Sequence, residues 1–290
     1  MITTIYFDTN VFSDICRKRN EVTVANELAL RDAVSKGKIS IVLSILNLEE
    51  KLCAFNNEPD LTLAELQFIQ DLADWHKIVK PYHQLLADDI YSYASGGGAS
   101  YHFITDADFA SKIRSFFNRS KQDMAEYLGQ DTWLEEIEEQ KREFQKGMTE
   151  ALEKARSDWP YLRKRRGPPP SFHEYWRGGA AESFAGYLAE RLGMLDACRR
   201  RGVQGLLEVK SVRVYVGASL SLVYAQMFEG RQPDARQAEG DAWDLRHALS
   251  ASAADIFVTH DKAFADRMKR VPIDDFEVMN FHKLTQVATY

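Results

Sequence analysis

The stretch that decides the fold is M-I-T-T-I-Y-F-D-T-N-V-F, residues 1–12. Residues 2–7 are rich in β-branched and aromatic side chains, which predicts a buried strand. The strand ends directly in Asp8, which is followed by Thr9 and Asn10. Because an ionised carboxylate is costly to bury, Asp8 needs an explanation. It either caps the next helix, where Asp, Thr and Asn are all favoured, or it binds a ligand at the carboxyl edge of a parallel sheet.

The composition is typical of a water-soluble globular chain. The 290 residues exceed a domain of about 100–200 residues, which predicts one large domain or a domain with an insertion. Hydrophobic residues make up 45% and charged residues 28%, and no apolar run approaches the ~20 residues of a membrane-spanning helix. The N-terminus lacks the basic flank of a signal peptide, so we expect a cytoplasmic protein with no membrane partner.

Cysteine content and net charge argue against further classes. Cys16, Cys53 and Cys198 lie far apart and form no C-x-x-C pair, which excludes a disulfide framework and a zinc knuckle. The formal net charge of -6 counts against a protein that merely coats nucleic acid, although local basic patches matter more than the total.

Strand and helix signals alternate at both ends of the chain. The N-terminal part contains, in order, strand 2–7, helix 21–37, strand 38–44, helices 45–55 and 61–76, and strand 77–81. The C-terminal part contains a helix rich in small residues, strand 256–259 and a last strand within 276–281. Such βαβ order is typical of a parallel sheet covered by helices, so we predict an α/β fold.

The middle of the chain has a different pattern. Three glycines at 96–98 indicate a joint, residues 104–159 are charged and helical in pattern, and residues 214–230 fit a strand or a helix. An apolar stripe typical of packing consists of Trp133, Ile137, Phe144, Met148, Leu152 and Trp159. We therefore predict one α/β domain made from residues 1–95 plus 235–290, with a mainly helical insertion at 96–234.

A basic segment inside the predicted insertion is a candidate RNA contact. Arg163, Lys164, Arg165 and Arg166 precede three prolines, and Trp176 follows among other aromatic residues. Cationic side chains attract phosphates, and aromatic rings stack on bases. A solvated surface loop anchored by its aromatic residues explains the same pattern equally well.

Four acidic residues stand at the ends of predicted elements. Asp8 ends the first strand, Glu50 lies early in the helix after the second strand, Asp244 begins the helix before strand 256–259, and Asp261 follows that strand. Because the carboxyl ends of parallel strands share one edge, Asp8, Glu50 and Asp261 are expected to converge there. Clustered carboxylates repel one another unless cations neutralise them, and an all-oxygen set suits Mg²⁺ or Mn²⁺.

These motifs resemble those of the PIN-domain nucleases. The segments Y-F-D-T-N (6–10), L-S-I-L-N-L-E-E (43–50), D-L-R-H-A-L-S-A-S (244–252) and F-V-T-H-D (257–261) stand in the family's order. They match, in turn, its strand-Asp, Ser-to-Glu, Asp-headed helix and strand-Thr-x-Asp motifs. The resemblance covers about residues 1–95 and 235–290 and leaves the insertion uncovered. It implies a PIN-like parallel sheet flanked by helices.

The resemblance also assigns roles to particular residues. By position, Asp8, Glu50, Asp244 and Asp261 match the family's catalytic, metal-binding acids. The supporting positions are Thr9, Asn10, Asp241, His247, and Glu49 as the alternative to Glu50. His247 lies one helical turn after Asp244 and could orient a carboxylate or a phosphate, or could be an ordinary buried histidine. Asp241 fits a helix cap equally well.

The implied activity is that of an Mg/Mn-dependent endoribonuclease acting on single-stranded RNA. Two divalent ions roughly 4 Å apart can stabilise the attacking and leaving oxygens of a phosphodiester, which leaves 5′-phosphate and 3′-hydroxyl ends. The RNA preference comes from the resemblance alone. The family includes toxins with antitoxin partners as well as RNA-processing enzymes, so an antitoxin-like partner and a homo-oligomer both stay open.

Other interpretations fit the same residues. A PIN-like module without catalysis would bind RNA or dock a partner through its charged insertion. A purely structural explanation makes each acid a helix cap, although capping does not account for Asp261 after its strand-Thr-x pattern. A haloacid-dehalogenase-like phosphatase needs a second Asp where Asn10 stands, and an amide cannot act as a general acid.

Overall fold

The protein folds around a five-stranded parallel sheet. The computed structural model describes residues 2–98, 100–130, 168–231 and 235–288, with scattered positions between 135 and 153. The strands are β1 Thr3–Phe7, β2 Ile39–Ser44, β3 Ala73–Val79, β4 Ile256–Val258 and β5 Glu277–Met279. They lie in the order β3-β2-β1-β4-β5, and every neighbouring pair is parallel. The predicted α/β class is confirmed.

Helices connect the strands and cover the sheet. They are α1 Thr9–Arg17, α2 Val24–Ser35, α3 Ile45–Ala54, α4 Pro59–Leu72, α5 Tyr82–Ser95, α6 Ala107–Phe117, α7 Lys121–Gln130, α8 Phe172–Tyr175 with a π-helical turn Trp176–Ala180, α9 Ala181–Arg191, α10 Leu195–Arg201, α11 Val203–Leu206, α12 Lys210–Phe228, α13 Ala235–Ala251, α14 Lys262–Met268 and α15 Phe281–Ala288. Of the helices in these described ranges, none has the length and apolar character needed to cross a bilayer.

The strand order places a switch point beside the central strand. β1 has β2 on one side and β4 on the other, so the chain leaves β1 towards one edge of the sheet and later returns on the opposite side of β1. In open parallel sheets, ligands bind outside the carboxyl ends of the strands at such a point, where the connecting segments diverge. Asp8 follows β1 at this place.

Two apolar cores cover the two faces of the sheet. Tyr6, Val42 and Phe257 pack with α12 and α13 on one face. Phe7 and Val258 pack with α1, α2, α4 and α15 on the other face. Neighbouring strand residues point to opposite faces, which explains why the strands read as continuous apolar runs.

Two segments of the structure clarify the sequence pattern. The helix predicted over 61–76 ends at Leu72, because Ala73 already pairs with Ile41 and begins β3. Residues 214–230 fit no single pattern because α12 is buried on all sides, which removes the polar stripe of an ordinary helix. The division into residues 1–95 plus 235–290 and an insertion at 96–234 stays a prediction, and α12 shares its core with the sheet.

Candidate metal centre at the carboxyl edge of the sheet

Asp8 lies in the gap between the ends of β1 and β4. Its backbone N–H donates to the carbonyl of Val258 at 2.9 Å, which continues the strand pairing by one residue. The side chain is buried, and its Oδ2 accepts a hydrogen bond from Thr259 Oγ1 at 2.8 Å. Its Oδ1 receives the Asn10 N–H of α1 at a long 3.4 Å. Helix capping therefore occupies one oxygen weakly, while Thr259, directly after β4, holds the other.

A capping box on α3 ties the second strand to the first. Ser44 ends β2 and begins α3, and its backbone N–H and Oγ both donate to Asn47 Oδ1 at 3.1 Å. The Asn47 amide nitrogen donates to the carbonyl of Phe7 at 3.0 Å and to Thr9 Oγ1 at 3.1 Å. These bonds fix the start of α3 against the end of β1. Glu50, one turn further along α3, is thereby held near Asp8.

His247 joins the two acids from α13. Its Nε2 lies 2.9 Å from Glu50 Oε2 and 3.9 Å from Asp8 Oδ1, and its Nδ1 lies 2.7 Å from the Tyr6 hydroxyl. Tyr6 is in turn 2.8 Å from Ser44 Oγ. The side chains of Asp8, Glu50 and His247 each offer one ligand atom within 4.8 Å of the others. Among the described residues, these three side chains form the group that is close enough to share a metal ion.

The electrostatics of this group favour an internal ion pair. Burial alone would lower the pKa of His247, but the charges of Glu50 and Asp8 raise it to about 9. Burial on its own would raise the pKa of Glu50. The charge of His247 and hydrogen bonds from His247 and Thr9 outweigh this effect, so the pKa of Glu50 is lower than usual. The pKa of Asp8 is raised by burial and by the charge of Glu50, which His247 opposes. Protonated His247 therefore neutralises part of the carboxylate charge at neutral pH.

Asp244 lies beside this group and is strongly perturbed. Burial and the charges of Asp261 and Asp8 raise the pKa of its carboxyl to about 8. Arg267 on α14 opposes the shift, with its Nη2 3.0 Å from Asp244 Oδ2. Asp241 lies one turn earlier and pairs with the guanidinium of Arg231 at 2.5 and 2.8 Å. Arg267 also lies 3.6 Å from Asp241. Both acids lie inside α13, which begins at Ala235, so the predictions that Asp244 begins this helix and that Asp241 caps it are wrong.

Asp261 is exposed at the rim and caps α14. Its Oδ1 accepts the N–H of Phe264 at 2.7 Å, and its own N–H donates to Thr259 Oγ1 at 3.0 Å. Thr259 therefore bridges Asp8 and Asp261. The structure places Asp261 close enough to raise the pKa of Asp244. Asp244 and Asp261 nevertheless lie outside the group of three described side chains whose ligand atoms converge within 4.8 Å.

The remaining predicted residues lie in different surroundings. Of the two neighbouring glutamates, Glu50 contacts His247. Glu49 instead lies near Tyr82, and burial together with the charge of Glu49 raises the pKa of that tyrosine. Trp176 packs against the apolar core beside the Phe172 ring, with ring centroids 6.3 Å apart. Arg163, Lys164, Arg165 and Arg166 lie outside the described residues, as do Trp133, Ile137, Phe144, Met148, Leu152 and Trp159.

Several site residues were not singled out from the sequence. Asn47 carries a readable signal, because Ser44 and Asn47 stand at the spacing of a capping box. Arg267 carries none, because its contact with Asp244 depends on how α13 and α14 face each other. Tyr6 reads as an ordinary strand residue, although its hydroxyl contacts His247.

The donor set fits a hard divalent cation. Asp8 and Glu50 offer carboxylate oxygens. Burial and the charges of neighbouring acids raise the pKa of Asp8 and of Asp244, and a bound divalent cation relieves such a penalty on the ionised carboxylates. The converging group also contains His247, so it is not the all-oxygen set expected from the sequence, and Asp8 and Glu50 are the members that suit Mg²⁺ or Mn²⁺. Comparison with family models, with curated proteins and with solved structures gives no match for this chain. Any functional assignment therefore depends on the geometry of this site and on the resemblance of the sequence motifs.

Proposed function

We propose that this chain is a PIN-like ribonuclease that uses Mg²⁺ or Mn²⁺ to hydrolyse phosphodiester bonds of single-stranded RNA. The observation that carries the proposal is the convergence of Asp8, Glu50 and His247 at the switch point of the sheet. The raised pKa of Asp244 beside this group adds to it. Perturbed acids gathered where parallel sheets bind ligands are typical of a catalytic site.

Each residue of the site has a distinct task in this proposal. Asp8 and Glu50 would hold the metal, and Asp244 and Asp261 would supply further oxygens beside them. Thr259 orients both Asp8 and Asp261, and its hydrogen bonds to them are seen at 2.8 and 3.0 Å. A divalent cation held there would supply an activated water at neutral pH and would stabilise charge on the phosphate. The preference for RNA over DNA follows from the PIN resemblance and not from the carboxylates.

A second candidate is a PIN-like module that binds RNA or a partner protein without cleaving it. A specific observation favours it, since the acids already have protein counter-ions. Glu50 pairs with His247 at 2.9 Å, and Asp244 pairs with Arg267 at 3.0 Å. Such pairs can be purely structural, because a buried carboxylate needs a cation whether or not it catalyses.

Metal-induced stabilisation separates the two candidates without requiring a known RNA target. A ligand that binds the folded state at one hundred times its Kd adds about 2.7 kcal/mol, which for a chain of this size raises Tm by roughly 4–5 °C. We expect Mn²⁺ to produce such a rise in the wild type and not in the Asp8→Asn variant. The matched control Asp266→Asn, an exposed acid on α14 paired with Lys269, should respond like the wild type.

Cleavage and crystallography complete the test. Metal-dependent cleavage of single-stranded RNA that disappears in Asp8→Asn and persists in Asp266→Asn supports the enzyme. Crystals soaked in Mn²⁺ should show an anomalous peak between Asp8 and Glu50. RNA cleavage that is unchanged in Asp8→Asn would refute the catalytic proposal. RNA binding with neither a metal response nor cleavage would favour the non-catalytic module.

A further inference from the structure

A cavity of about 430 Å³ lies directly beside the candidate metal centre. Thr9 and Glu50 belong to both, so the cavity adjoins the metal centre at Glu50. Its size falls in the range of roughly 300–1,000 Å³ that is usual for small-ligand sites. The residues that give it chemical character are Asn10, Arg17, Arg19, Lys51 and Trp243. Cations, an aromatic ring and an amide thus face one space.

Two of the three cations in the cavity already have a carboxylate partner. Arg17 Nε and Lys51 Nζ each lie 2.5 Å from the buried Glu65, and Lys51 also contacts Ser13 Oγ. Arg19 is exposed, and it forms no ion pair with any residue in the described ranges. Arg19 is therefore the cation that a bound anion can engage without breaking an existing pair.

An unusual turn presents Arg19 to the cavity. Its neighbours Lys18, Asn20 and Glu21 have φ angles of 54°, 50° and 63°. These angles lie in the left-handed region, which residues other than glycine rarely adopt. The turn is tied to α1 by Asp14, whose carbonyl accepts the Arg19 N–H at 2.9 Å and whose Oδ2 accepts the Asn20 amide at 2.6 Å. Backbone of this kind persists where the surrounding structure fixes it, often beside a ligand site.

The aromatic side of the cavity is also held in place. Trp243 lies on α13 immediately before Asp244, and the buried guanidinium of Arg246 lies 5.1 Å from its ring centroid. This cation–π contact supports the ring while the ring lines the cavity. Asp14 contributes negative charge to the lining, but its carboxylate is engaged by His260 Nδ1 at 2.5 Å as well as by Asn20.

We propose that this cavity binds one nucleotide of the RNA strand next to the cleaved phosphodiester, with its base stacked on Trp243 and its phosphate at Arg19. The proposal rests on the proposed ribonuclease function, which places a strand across the carboxylates. A simple anion would not require the aromatic wall, and an apolar ligand would not require Arg19 and Asn10. A nucleotide requires both, and aromatic stacking accepts any base, so the site has little base preference.

Nucleotide binding can be measured without cleavage by ligand-observed NMR titration of the full chain. The probes are AMP and ribose 5-phosphate in the presence of Mg²⁺, which share the phosphate and differ in the base. We expect AMP to bind about tenfold more tightly, the size of a typical base–aromatic stack. Trp243→Ala should abolish this difference and Trp243→Phe should keep most of it. Arg19→Gln should weaken both ligands equally and flatten their salt dependence.

The exposed arginine Arg200 on α10 provides the matched control, and Arg200→Gln should leave both affinities unchanged. Equal affinity for AMP and ribose 5-phosphate, absence of binding by both, or a difference that survives Trp243→Ala would each overturn the nucleotide site. Failure of the ribonuclease proposal looks different. In that case AMP still binds in a Trp243-dependent manner, but no RNA is cleaved. Cleavage without nucleotide binding refutes the cavity alone.

Discussion

Replacing Asp244 by Asn tests whether the site stores repulsion that a bound metal would relieve. The Asp244 side chain is only 20% exposed. Burial and the charges of Asp261 and Asp8 raise its pKa from the usual 3.8 to about 8, despite the contact with Arg267. The folded protein therefore holds a proton on this carboxyl to a much higher pH than the unfolded chain does.

The sign and size of the effect on stability follow from that difference. Between about pH 4 and pH 8 the folded state binds more protons than the unfolded state, so the free energy of unfolding falls as the pH rises and is level above this window. One pKa unit corresponds to about 1.4 kcal/mol, so the Asp244 carboxyl costs about 2 kcal/mol of stability at pH 5 and about 4 kcal/mol at pH 7. Asn has no charge to lose, so Asp244→Asn should be more stable than the wild type by about these amounts.

Urea denaturation in EDTA at pH 5, 6, 7 and 8 measures the difference. The difference in the free energy of unfolding between Asp244→Asn and the wild type should widen as the pH rises. The free energy of unfolding of Asp266→Asn should stay within about 0.5 kcal/mol of the wild type at every pH. Mn²⁺ should stabilise the wild type and narrow the gap, because a cation replaces the repulsion that the substitution removes. A gap that is constant from pH 5 to pH 8 would refute the explanation of the shifted pKa.

Three further predictions concern packing in the core, a buried hydrogen-bond network and the tyrosine beside His247. Gly217→Ala places a Cβ in space that a neighbouring side chain already fills, so we expect about 1–3 kcal/mol of destabilisation by urea denaturation. The control Gly186→Ala, whose Cβ meets its nearest atoms at an ordinary 3.7 Å, should instead stabilise by about 0.5–1 kcal/mol. Asp89→Asn should cost about 1–3 kcal/mol at pH 7, because this buried carboxylate accepts four hydrogen bonds; an unchanged denaturation midpoint would contradict this. Tyr6→Phe removes the hydroxyl that can accept a hydrogen bond from Nδ1–H of protonated His247. The protonated form loses this partner, so the pKa of His247, followed by NMR, should fall below about 9.

The position of the candidate site can be read from the sequence, because it depends on topology. Asp8 ends an apolar run, and any parallel sheet brings the ends of its strands to one edge. Ser44 and Asn47 indicate the start of α3, so the position of Glu50 on that helix is readable as well. These signals are local in sequence, and each survives without knowledge of the tertiary packing.

The partners of the acids could not be predicted, because they depend on how helices face one another. Arg267 approaches Asp244 from a separate helix, and nothing in the chain marks Arg267 among its basic neighbours. The edge strand β3 was also misjudged, since residues 73–76 continue the apolar spacing of α4. Their pairing with β2 decides the conformation, and that pairing is a long-range contact.

The distribution of these partners indicates where a cation is still needed. Glu50 has His247, and Asp244 has Arg267. Asp8 has only the distant Nε2 of His247 at 3.9 Å, and Asp261 forms no ion pair within the part of the chain that the structure describes. Both stand at the ends of the adjacent strands β1 and β4 and share Thr259 as a hydrogen-bonding partner. Asp244 lies beside them with a pKa that stays raised to about 8 despite Arg267, so Asp8, Asp244 and Asp261 together mark where a divalent cation would gain the most.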